Sequence, residues 1–226
     1  MPWLLELFSG TGSVGAAFRR AGWQVYSVDM KEVGGHRPTY LGDVLQWRYD
    51  DPSLPAFDAV WASPPCTMYS VARTRAKAPR DLAAADRLVG RALEVIRYNT
   101  LGRPHVNWWL ENPASGLLSS RVVVAGLAKR LVSYCAYGSP YRKNTYLWSN
   151  CAFDPAWETR SCPGMGECPQ MVGRRHQAVA QRAPPMRDGV RGIDSCSQEE
   201  LYRMPPQLCD EIAAYATQRF AEEMFD

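Results

Sequence analysis

Cys66 occupies the position in the sequence that points most directly to covalent chemistry. It follows two prolines, which end a strand-like apolar segment over residues 57–62. Proline stops a strand and stiffens the backbone, so the thiol is presented at the strand end rather than buried within it. A buried structural role is the usual one for cysteine, but a position after two prolines is not typical of it. We therefore expect Cys66 to be a nucleophile, with Arg73 and Arg75 favouring its thiolate form.

Glu111 could supply the acid that complements such a nucleophile. It follows the apolar segment 106–110 and precedes Asn112 and Pro113. Partial burial at the end of this strand would raise the pKa of Glu111 and keep a proton available. The alternative is a strand-end carboxylate that pairs with a surface lysine.

A thiol, an acid and a cation together fit the methylation of cytosine at C5. This carbon is a poor nucleophile until a thiolate adds to C6, which breaks the aromaticity of the ring and makes C5 enamine-like. A proton or strong hydrogen bond at N3 must accompany the addition, and a cation near the carbonyl oxygen at C2 would stabilise the developing charge. We expect Cys66 and Glu111 in the first two roles. We expect Arg142 to be the cation near the C2 carbonyl oxygen, with Lys143 as the alternative.

A glycine-rich loop joins the first predicted strand, residues 3–8, to the first predicted helix. Residues 10–15 have the pattern G-x-G-x-x-G, which nicotinamide, flavin and S-adenosylmethionine enzymes share because backbone must approach a ligand there. A tight turn without a ligand is the alternative. Asp29 ends the next strand and could accept from both ribose hydroxyls, and Asp43 could accept from an adenine amino group. Two such acids after a glycine loop favour an adenosine site.

Strands and helices alternate through the first 150 residues. The predicted strands cover residues 3–8, 24–28, 40–41, 57–62 and 106–110, followed by a closing pair at 134–137 and 144–148. The predicted helices cover residues 14–21, 81–99 and 117–132. Such alternation predicts parallel pairing and a sheet with helices on both faces, and ligands bind such sheets beyond the carboxyl ends of the strands. The glycine loop, the acids and Cys66 all fall at those ends.

The sequence therefore predicts an α/β, Rossmann-like fold with a small irregular insert. Residues 1–148 would form the catalytic domain and residues 149–200 the insert, in which Pro, Gly, Cys and Arg dominate. Residues 201–226 would form a C-terminal amphipathic helix that packs back on the catalytic domain.

Four side chains of the insert could close a tetrahedral zinc site. They are Cys151, Cys162, Cys168 and His176, separated by ten, five and seven residues. The spacing is not that of a standard zinc finger, and free cysteines beside a solvated histidine are the alternative. Such a zinc ion would be structural and would hold Arg174, Arg175 and Arg182 against DNA.

Charge is concentrated in two segments of a chain whose net charge is only +3. Residues 67–80 carry four basic side chains and no acid, and residues 160–191 carry six arginines against two acids. Basic segments of this kind suit phosphate contacts, although solvated loops are also often basic. The candidate nucleic-acid contacts are Arg73, Arg75, Lys77, Lys143, Arg174 and Arg175.

Composition places the chain among soluble intracellular proteins. Of its 226 residues 46% are hydrophobic and 22% charged, no stretch has the apolar length to span a bilayer, and no basic-then-apolar leader is expected. Seven cysteines in such a chain favour catalysis, metal binding or burial over disulfides. We expect a cytoplasmic or nuclear location, no membrane association and no obligate protein partner.

Three linked motifs resemble the first, fourth and sixth motifs of the cytosine-C5 DNA methyltransferases. They are Leu-Phe-Ser-Gly-Thr-Gly at residues 7–12, the Pro-Pro-Cys loop at 64–66 that continues to Tyr69 and Ser70, and Glu-Asn-Pro at 111–113. The motifs occur in the family's order, and the match covers about residues 4–148. The resemblance implies an S-adenosylmethionine-dependent fold, Cys66 as nucleophile, Glu111 as the acid at N3, and double-stranded DNA whose target base is flipped out. It implies these residues around the cofactor: Phe8, Ser9, Gly10, Thr11, Gly12, Ser13, Val14, Asp29, Met30, Asp43, Val44 and Pro64.

The sequence departs from the family pattern at several points. Glu-Asn-Pro replaces the usual Glu-Asn-Val, and residues 141–145 replace the Gln-x-Arg-x-Arg motif, which leaves Arg142 and Lys143 as rival cations. The final Gly-Asn motif is not found, and about 50 residues stand where a large target-recognition domain is usual. Compact members of this kind are similar to methyltransferases of phages and large viruses, so a viral origin is expected.

Other functions compete with this interpretation. The same chemistry could act on RNA or on a cytosine nucleotide, since little protein remains to recognise a DNA sequence. A catalytically silent adaptor could bind nucleic acid, although intact Cys66 and Glu111 count against it. A nicotinamide dehydrogenase would share the fold but would not need Pro-Pro-Cys together with Glu-Asn-Pro.

Overall fold

The computed structural model describes residues 1–71, 73, 76, 78–164, 166–180 and 194–224, and a seven-stranded sheet forms its centre. In chain order the strands of this sheet are β1 (Trp3–Leu7), β2 (Gln24–Asp29), β3 (Tyr40–Leu41), β4 (Ala59–Ala62), β5 (Asn107–Pro113), β6 (Lys129–Ser133) and β7 (Asn144–Ser149). They lie side by side in the order β3-β2-β1-β4-β5-β7-β6. Strands β1 to β5 pair in parallel, and β7 pairs antiparallel with both β5 and β6. The predicted α/β class with a mainly parallel sheet is confirmed.

Helices cover both faces of this sheet. They are α1 (Ser13–Arg20), α2 (Leu82–Thr100), α3 (Gln198–Tyr202) and α4 (Pro206–Met224). Neighbouring residues of a strand point to opposite faces: Leu4 belongs to a core cluster with Phe18 of α1 and Ile212 of α4. Leu5 belongs to the other cluster, with Val89 of α2. None of the helices in the described part of the chain is both long and apolar enough to cross a membrane.

Helix α4 lies against α1, although most of the chain separates the two in sequence. Arg20 pairs with Asp210 across this contact at 2.5 Å, and the indole Nε1 of Trp23 donates to Thr217 Oγ1 at 2.9 Å. The helix predicted near the C-terminus is thus present. It is preceded by the separate short helix α3, because helical structure is interrupted at Met204 and Pro205.

Residues 117–132 do not form the helix that was predicted from their apolar spacing. Short 3-10 turns occupy Leu117–Ser120 and Val122–Val124, and β6 follows them. Three consecutive valines lose side-chain freedom in a helix, and Gly126 has a φ of 79°, a left-handed conformation that ends a turn. Apolar spacing alone cannot distinguish a short helix from a buried strand. Here the pairing with β7 stabilises β6 as a strand.

The closing strand pair also differs from the prediction. Residues 134–137 form a 3-10 turn, and β7 pairs with β6 instead, so that Ser133 lies opposite Asn144. Strand β5 continues through Asn112 and Pro113, where the sequence predicted its end. It does so because β7 extends the ladder as far as the pair of Pro113 with Thr145.

Two further short pairs lie in the insert. Strand β8 (Met171–Val172) pairs antiparallel with β9 (Arg175–His176). Strand β10 (Ala178–Val179) pairs in parallel with β11 (Asp194–Ser195). The insert therefore has little regular structure of its own in its described part, as its composition indicated.

Glu6 is a buried carboxyl in the middle of β1. Only 1% of it is exposed, its Oε1 accepts from the backbone N of Gly15 in α1 at 3.1 Å, and its Oε2 has no hydrogen-bond partner among the described residues. Burial raises the pKa of Glu6 to about 7, against an ordinary value of 4.5. Glycine at position 15 leaves room for this carboxyl, since a Cβ there would lie 2.4 Å from Glu6 Oε2 and would require the Glu6 side chain to shift.

We predict that Glu6→Gln changes the pH dependence of stability. The pKa of Glu6 is higher in the folded protein, so folded chains bind more protons between pH 4.5 and 7, and the free energy of unfolding falls as pH rises through this window. Above this window the ionised carboxylate of Glu6 lowers the free energy of unfolding of the wild type by about 3 kcal/mol. The uncharged glutamine avoids this loss. Glu6→Gln should therefore raise Tm relative to wild type more at pH 8.5 than at pH 5. Thermal unfolding at both pH values tests this, with the exposed Glu158→Gln as control, and an equal change of Tm at both would contradict it.

Candidate active site at the carboxyl edge of the sheet

The loop after β1 has an unusual backbone. Phe8 has a φ of 56° and is the one residue other than glycine with positive φ in the described ranges, and Gly10 and Gly12 follow with φ of 50° and 67°. A side chain in this region costs about 1–3 kcal/mol and persists where the surrounding structure enforces it, often at functional sites. The strained turn delivers the chain from β1 into α1.

Gly10 leaves one side of this loop open. A Cβ built there would meet no atom within 4 Å, so a ligand could approach the backbone. The Gly10 backbone N donates to Asp29 Oδ2 at 2.8 Å, and Asp29 Oδ1 accepts from Lys31 N at 3.1 Å. These bonds fix the carboxylate at the end of β2, while each oxygen keeps a second lone pair for an added donor.

The other predicted cofactor residues gather at the same edge. Asp43 follows β3 and accepts from the backbone N of Leu45 at 2.9 Å, while Val44 beside it is buried. Met30 follows Asp29 and is 63% exposed. The structure thus brings the glycine loop together with the residues that end β2 and follow β3.

His36 is a loop residue at this edge that the sequence analysis missed. Its Nε2 is 3.2 Å from Ser9 Oγ, and its ring covers Gly12, on which a Cβ would lie 2.6 Å from Nδ1. Burial is the main cause that lowers the pKa of His36, so the ring stays neutral at physiological pH. The preceding glycines, Gly34 and Gly35, both have positive φ and were the signal for a turn that folds back on the glycine loop.

Cys66 lies at the end of β4, next to β1 in the sheet. The chain order reverses between these two strands, because β2 and β3 lie on one side and β5 on the other. Such a switch point is where open α/β sheets bind ligands. Asn112 Nδ2 of β5 holds the loop by donating to Pro64 O at 2.9 Å. Within the loop itself, the backbone N atoms of Tyr69 and Ser70 donate to Cys66 O.

Polar contacts of the residues that follow Cys66 also stabilise its loop. The Tyr69 hydroxyl donates to Asp86 of α2 at 2.8 Å, and Arg121 donates to both oxygens of that carboxylate. Arg80 donates to the Met68 carbonyl at 2.8 Å. Asp86 and Arg121 could not be predicted from the motifs, because they come from other elements of the fold.

Glu111 is buried in β5, with 7% of its surface exposed. Its Oε1 is 3.5 Å from the Tyr134 hydroxyl and 3.9 Å from Lys143 Nζ. Burial raises the pKa of Glu111, and the charge of Lys143 and the Tyr134 hydrogen bond only partly offset this. The rise expected from the strand position is therefore confirmed.

Lys143, rather than Arg142, is the cation beside Glu111. Its Nζ also lies 3.4 Å from the Tyr134 hydroxyl and 4.7 Å from the centre of that ring. Arg142 instead lies near the insert: burial lowers the pKa of His176, and the charge of Arg142 lowers it further. The contacts of Glu111 therefore favour Lys143 over the predicted Arg142 as the cation of the site.

The ionisation of Cys66 is governed by the same neighbours. Burial raises the pKa of the Cys66 thiol, as does the charge of Glu111, while Lys143 lowers it. Arg73, which was also expected to favour the thiolate, donates from its guanidinium to the Ala78 carbonyl at 2.8 Å. Arg75 and Lys77 lie outside the described residues.

The Cys and His side chains of the insert form a cluster with one unexpected member. The ligand atoms of Cys135, Cys162, Cys168 and His176 all lie within 4.8 Å of one another. Cys151, predicted in the place of Cys135, is elsewhere: it is buried, with its Sγ 2.8 Å from Ser149 Oγ. It follows β7 directly and packs in the core cluster of the α4 face.

The predicted arginine contacts of the insert lie on its surface. Arg174 and Arg175 are exposed at the β8–β9 hairpin, whose turn contains Gly173 with a φ of 61°. They directly precede His176 of the cluster. Arg182, a third basic residue expected here, lies outside the described residues.

We predict that Lys143→Met slows alkylation of Cys66 by iodoacetamide at pH 8. Removal of the nearby positive charge should raise the pKa of the thiol and leave less thiolate. Arg142→Met is the matched control and should leave the rate unchanged. The pH dependence of labelling, read from the Cys66 peptide by mass spectrometry, measures this, and equal slowing in both variants would count against the assignment of Lys143.

Comparison with known proteins gives one extended sequence match. The chain is 33% identical over 228 residues to a protein of Frog virus 3 (isolate Goorha) named "Probable DNA (cytosine-5)-methyltransferase". The alignment covers 92% of this chain and 97% of the viral protein. No protein-family model matches the chain.

Solved structures show weaker similarity. A candidate DNA modification methyltransferase from an E. coli prophage matches at TM-score 0.47 and 16% identity, over 66% of this chain and 46% of that one. The Entamoeba histolytica methyltransferase EhMeth matches at 0.45 and 13%, over 66% and 52%. A Spodoptera frugiperda DNMT2 variant matches at 0.44 and 14%, over 72% and 54%. The chain spans about half the length of these proteins, and at such TM-scores they add nothing to the geometry of the site.

Proposed function

The chain belongs to the cytosine-C5 DNA methyltransferase family, and on that premise we propose that it transfers a methyl group from S-adenosylmethionine to C5 of cytosine in DNA. The observation that carries the proposal is the grouping around Lys143. Lys143 Nζ lies 3.9 Å from Glu111 Oε1, and the charge of the same lysine lowers the pKa of the Cys66 thiol, so the cation is close to both groups. Addition of a thiolate to a ring that is protonated in the same step uses all three groups.

The residues at the ends of β1, β2 and β3 fit S-adenosylmethionine, which when bound supplies an electrophilic methyl group on a sulfonium. The open side of Gly10 gives room for a close approach to the backbone. Asp29 is held by backbone donors with lone pairs left for two ribose hydroxyls. Met30 and Val44 offer apolar surface for an adenine ring, and Asp43 offers an acceptor for its amino group.

In this mechanism Cys66 must first lose its proton, which burial opposes. Lys143 is the cation that stabilises the thiolate. The sulfur then forms a bond to C6 of cytosine, the C5–C6 π electrons shift towards C4 and N3, and Glu111 gives its proton to N3. C5 is now the nucleophilic carbon of an enamine. After methylation, a base takes the C5 proton, the sulfur leaves C6, and Glu111 recovers its proton as the aromatic ring reforms.

The raised pKa of Glu111 suits this cycle. A buried carboxyl with a raised pKa holds a proton that it can donate to N3. Tyr134 and Lys143 then stabilise the carboxylate that remains. We assign the third role, stabilisation of charge near the C2 carbonyl, to Lys143 in place of Arg142.

We propose double-stranded DNA as the polymer, with the target base flipped into the space between Cys66 and Glu111. In this division of labour residues 1–148 bind the cofactor and the flipped base. The insert, residues 149–200, contacts phosphates through its exposed arginines. All seven cysteines are free, which supports action inside a cell rather than in an oxidising compartment.

We predict a covalent complex with DNA that contains 5-fluorocytosine. Fluorine cannot leave C5 as a cation, so the thiol cannot be eliminated and the adduct with Cys66 persists. Incubation with labelled S-adenosylmethionine should give a denaturation-resistant band on a gel. Cys66→Ser should form none, Glu111→Gln should form it roughly a hundredfold to ten-thousandfold more slowly, and Cys196→Ser should behave as wild type.

The choice of polymer is read from the same experiment. RNA with 5-fluorocytosine and the free fluorinated nucleotide are tested in parallel, and an adduct on either one in preference to DNA would contradict the proposed substrate. No adduct on any substrate, with folded protein and bound cofactor, would contradict the proposed reaction.

A further inference from the structure

The Cys/His cluster joins two parts of the chain that lie well apart in sequence. Cys135 belongs to the 3-10 turn Tyr134–Tyr137, which follows the sheet strand β6. Cys162, Cys168 and His176 belong to the insert. Cys135 and Cys168 are buried, and the other two are half-buried, so the four ligand atoms face one another away from bulk solvent.

We propose that Cys135, Cys162, Cys168 and His176 bind one structural zinc ion that fastens the insert to the catalytic sheet. Three sulfurs and one imidazole nitrogen are a complete tetrahedral set with no open position. A site of this composition holds a fold together and does not activate water. Cys66, the proposed nucleophile, takes no part in it.

The distances fit a tetrahedral zinc ion. Cys162 Sγ is 3.6 Å from His176 Nε2, and Cys168 Sγ is 3.5 Å from the same nitrogen. Zinc–sulfur bonds of about 2.3 Å and zinc–nitrogen bonds of about 2.0–2.1 Å at a tetrahedral angle place sulfur and nitrogen about 3.6 Å apart. A thiol–imidazole hydrogen bond explains one of these contacts but not two at one nitrogen.

Charge also favours a metal ion at the cluster. Three thiolates close together repel one another, and one Zn²⁺ with a neutral imidazole reduces their charge from −3 to a net −1.

The insert needs such a fastening because it has almost no core of its own. Three backbone contacts already attach it to the segment 133–140. Ser133 N donates to Arg160 O at 3.1 Å, Arg160 N donates to the Tyr137 hydroxyl at 2.7 Å, and Ala178 N donates to Pro140 O at 2.9 Å. Zinc bound through Cys135 adds a cross-link between the segment 133–140 and the insert. The free energy of zinc binding then contributes to the folding free energy of the insert.

This site also lies next to the proposed chemistry. Tyr134 directly precedes Cys135, and its hydroxyl contacts both Glu111 and Lys143. A zinc-bound Cys135 therefore fixes the turn that positions the acid and the cation. This consequence for activity rests on the proposed function, whereas the zinc site itself does not.

The test is the zinc content of the purified full chain, measured by inductively coupled plasma mass spectrometry after dialysis against metal-free buffer. We expect one zinc per chain in the wild type and in Cys151→Ser, the matched control suggested by sequence spacing. Cys135→Ser should lose most of it. A wild type that is folded but free of zinc, a Cys135→Ser chain that keeps its zinc, or loss of zinc in Cys151→Ser would each overturn the proposal.

A second measurement uses only the wild type, in case Cys135→Ser fails to fold. With zinc bound, iodoacetamide should label Cys196 but spare Cys135, Cys162 and Cys168, and a chelator should expose all three together. Labelling of Cys135 that is independent of the chelator would contradict its role as a ligand. Because neither readout depends on methyl transfer, an inactive protein that binds zinc in this way would refute the proposed function and leave the zinc site standing.

Discussion

The antiparallel ladder between β5 and β7 holds the candidate site together. Its register sets Glu111 opposite Leu147 and extends β5 as far as Pro113, which carries Asn112 to the position from which its side chain holds Pro64. The same ladder begins β7 at Asn144, so the residue just before it, Lys143, falls beside Glu111. One set of backbone hydrogen bonds therefore positions the acid, the cation and the loop of the nucleophile at once.

The parallel half of the sheet performs a different task. It aligns the carboxyl ends of β1, β2 and β4, so that the glycine loop, Asp29 and the Cys66 loop lie along the same edge of the sheet. The strand order reverses between β1 and β4, which is where open α/β sheets bind ligands. The proposed cofactor residues and the proposed nucleophile thus lie on either side of this switch point.

Features that depend on local sequence were predictable, and those that depend on register or tertiary contact were not. The glycine loop, Asp29, Cys66 and Glu111 follow from turn chemistry and strand ends, and the structure brings them to one edge as expected. Whether Lys143 or Arg142 lies beside Glu111 depends on the register of β7, and a shift of one residue would exchange the two. Cys135 lies too far from the insert in sequence for spacing to connect them. The apolar segment 117–132 fits a helix or a strand equally well until its partner β7 is known.

The packing of α4 on α1 has a consequence for the folding of the protein during translation. Arg20 and its partner Asp210 are 190 positions apart in sequence, and α4 supplies Leu208, Ile212 and Ala216 to the core cluster that contains Leu4. The first strand emerges early during translation, yet one apolar face of its sheet is covered only in part, by α1, until α4 has been made. Nascent or truncated chains that lack α4 expose the rest of that face and are candidates for aggregation or chaperone capture. The first strand of the fold to be made is thus among the last to be fully covered.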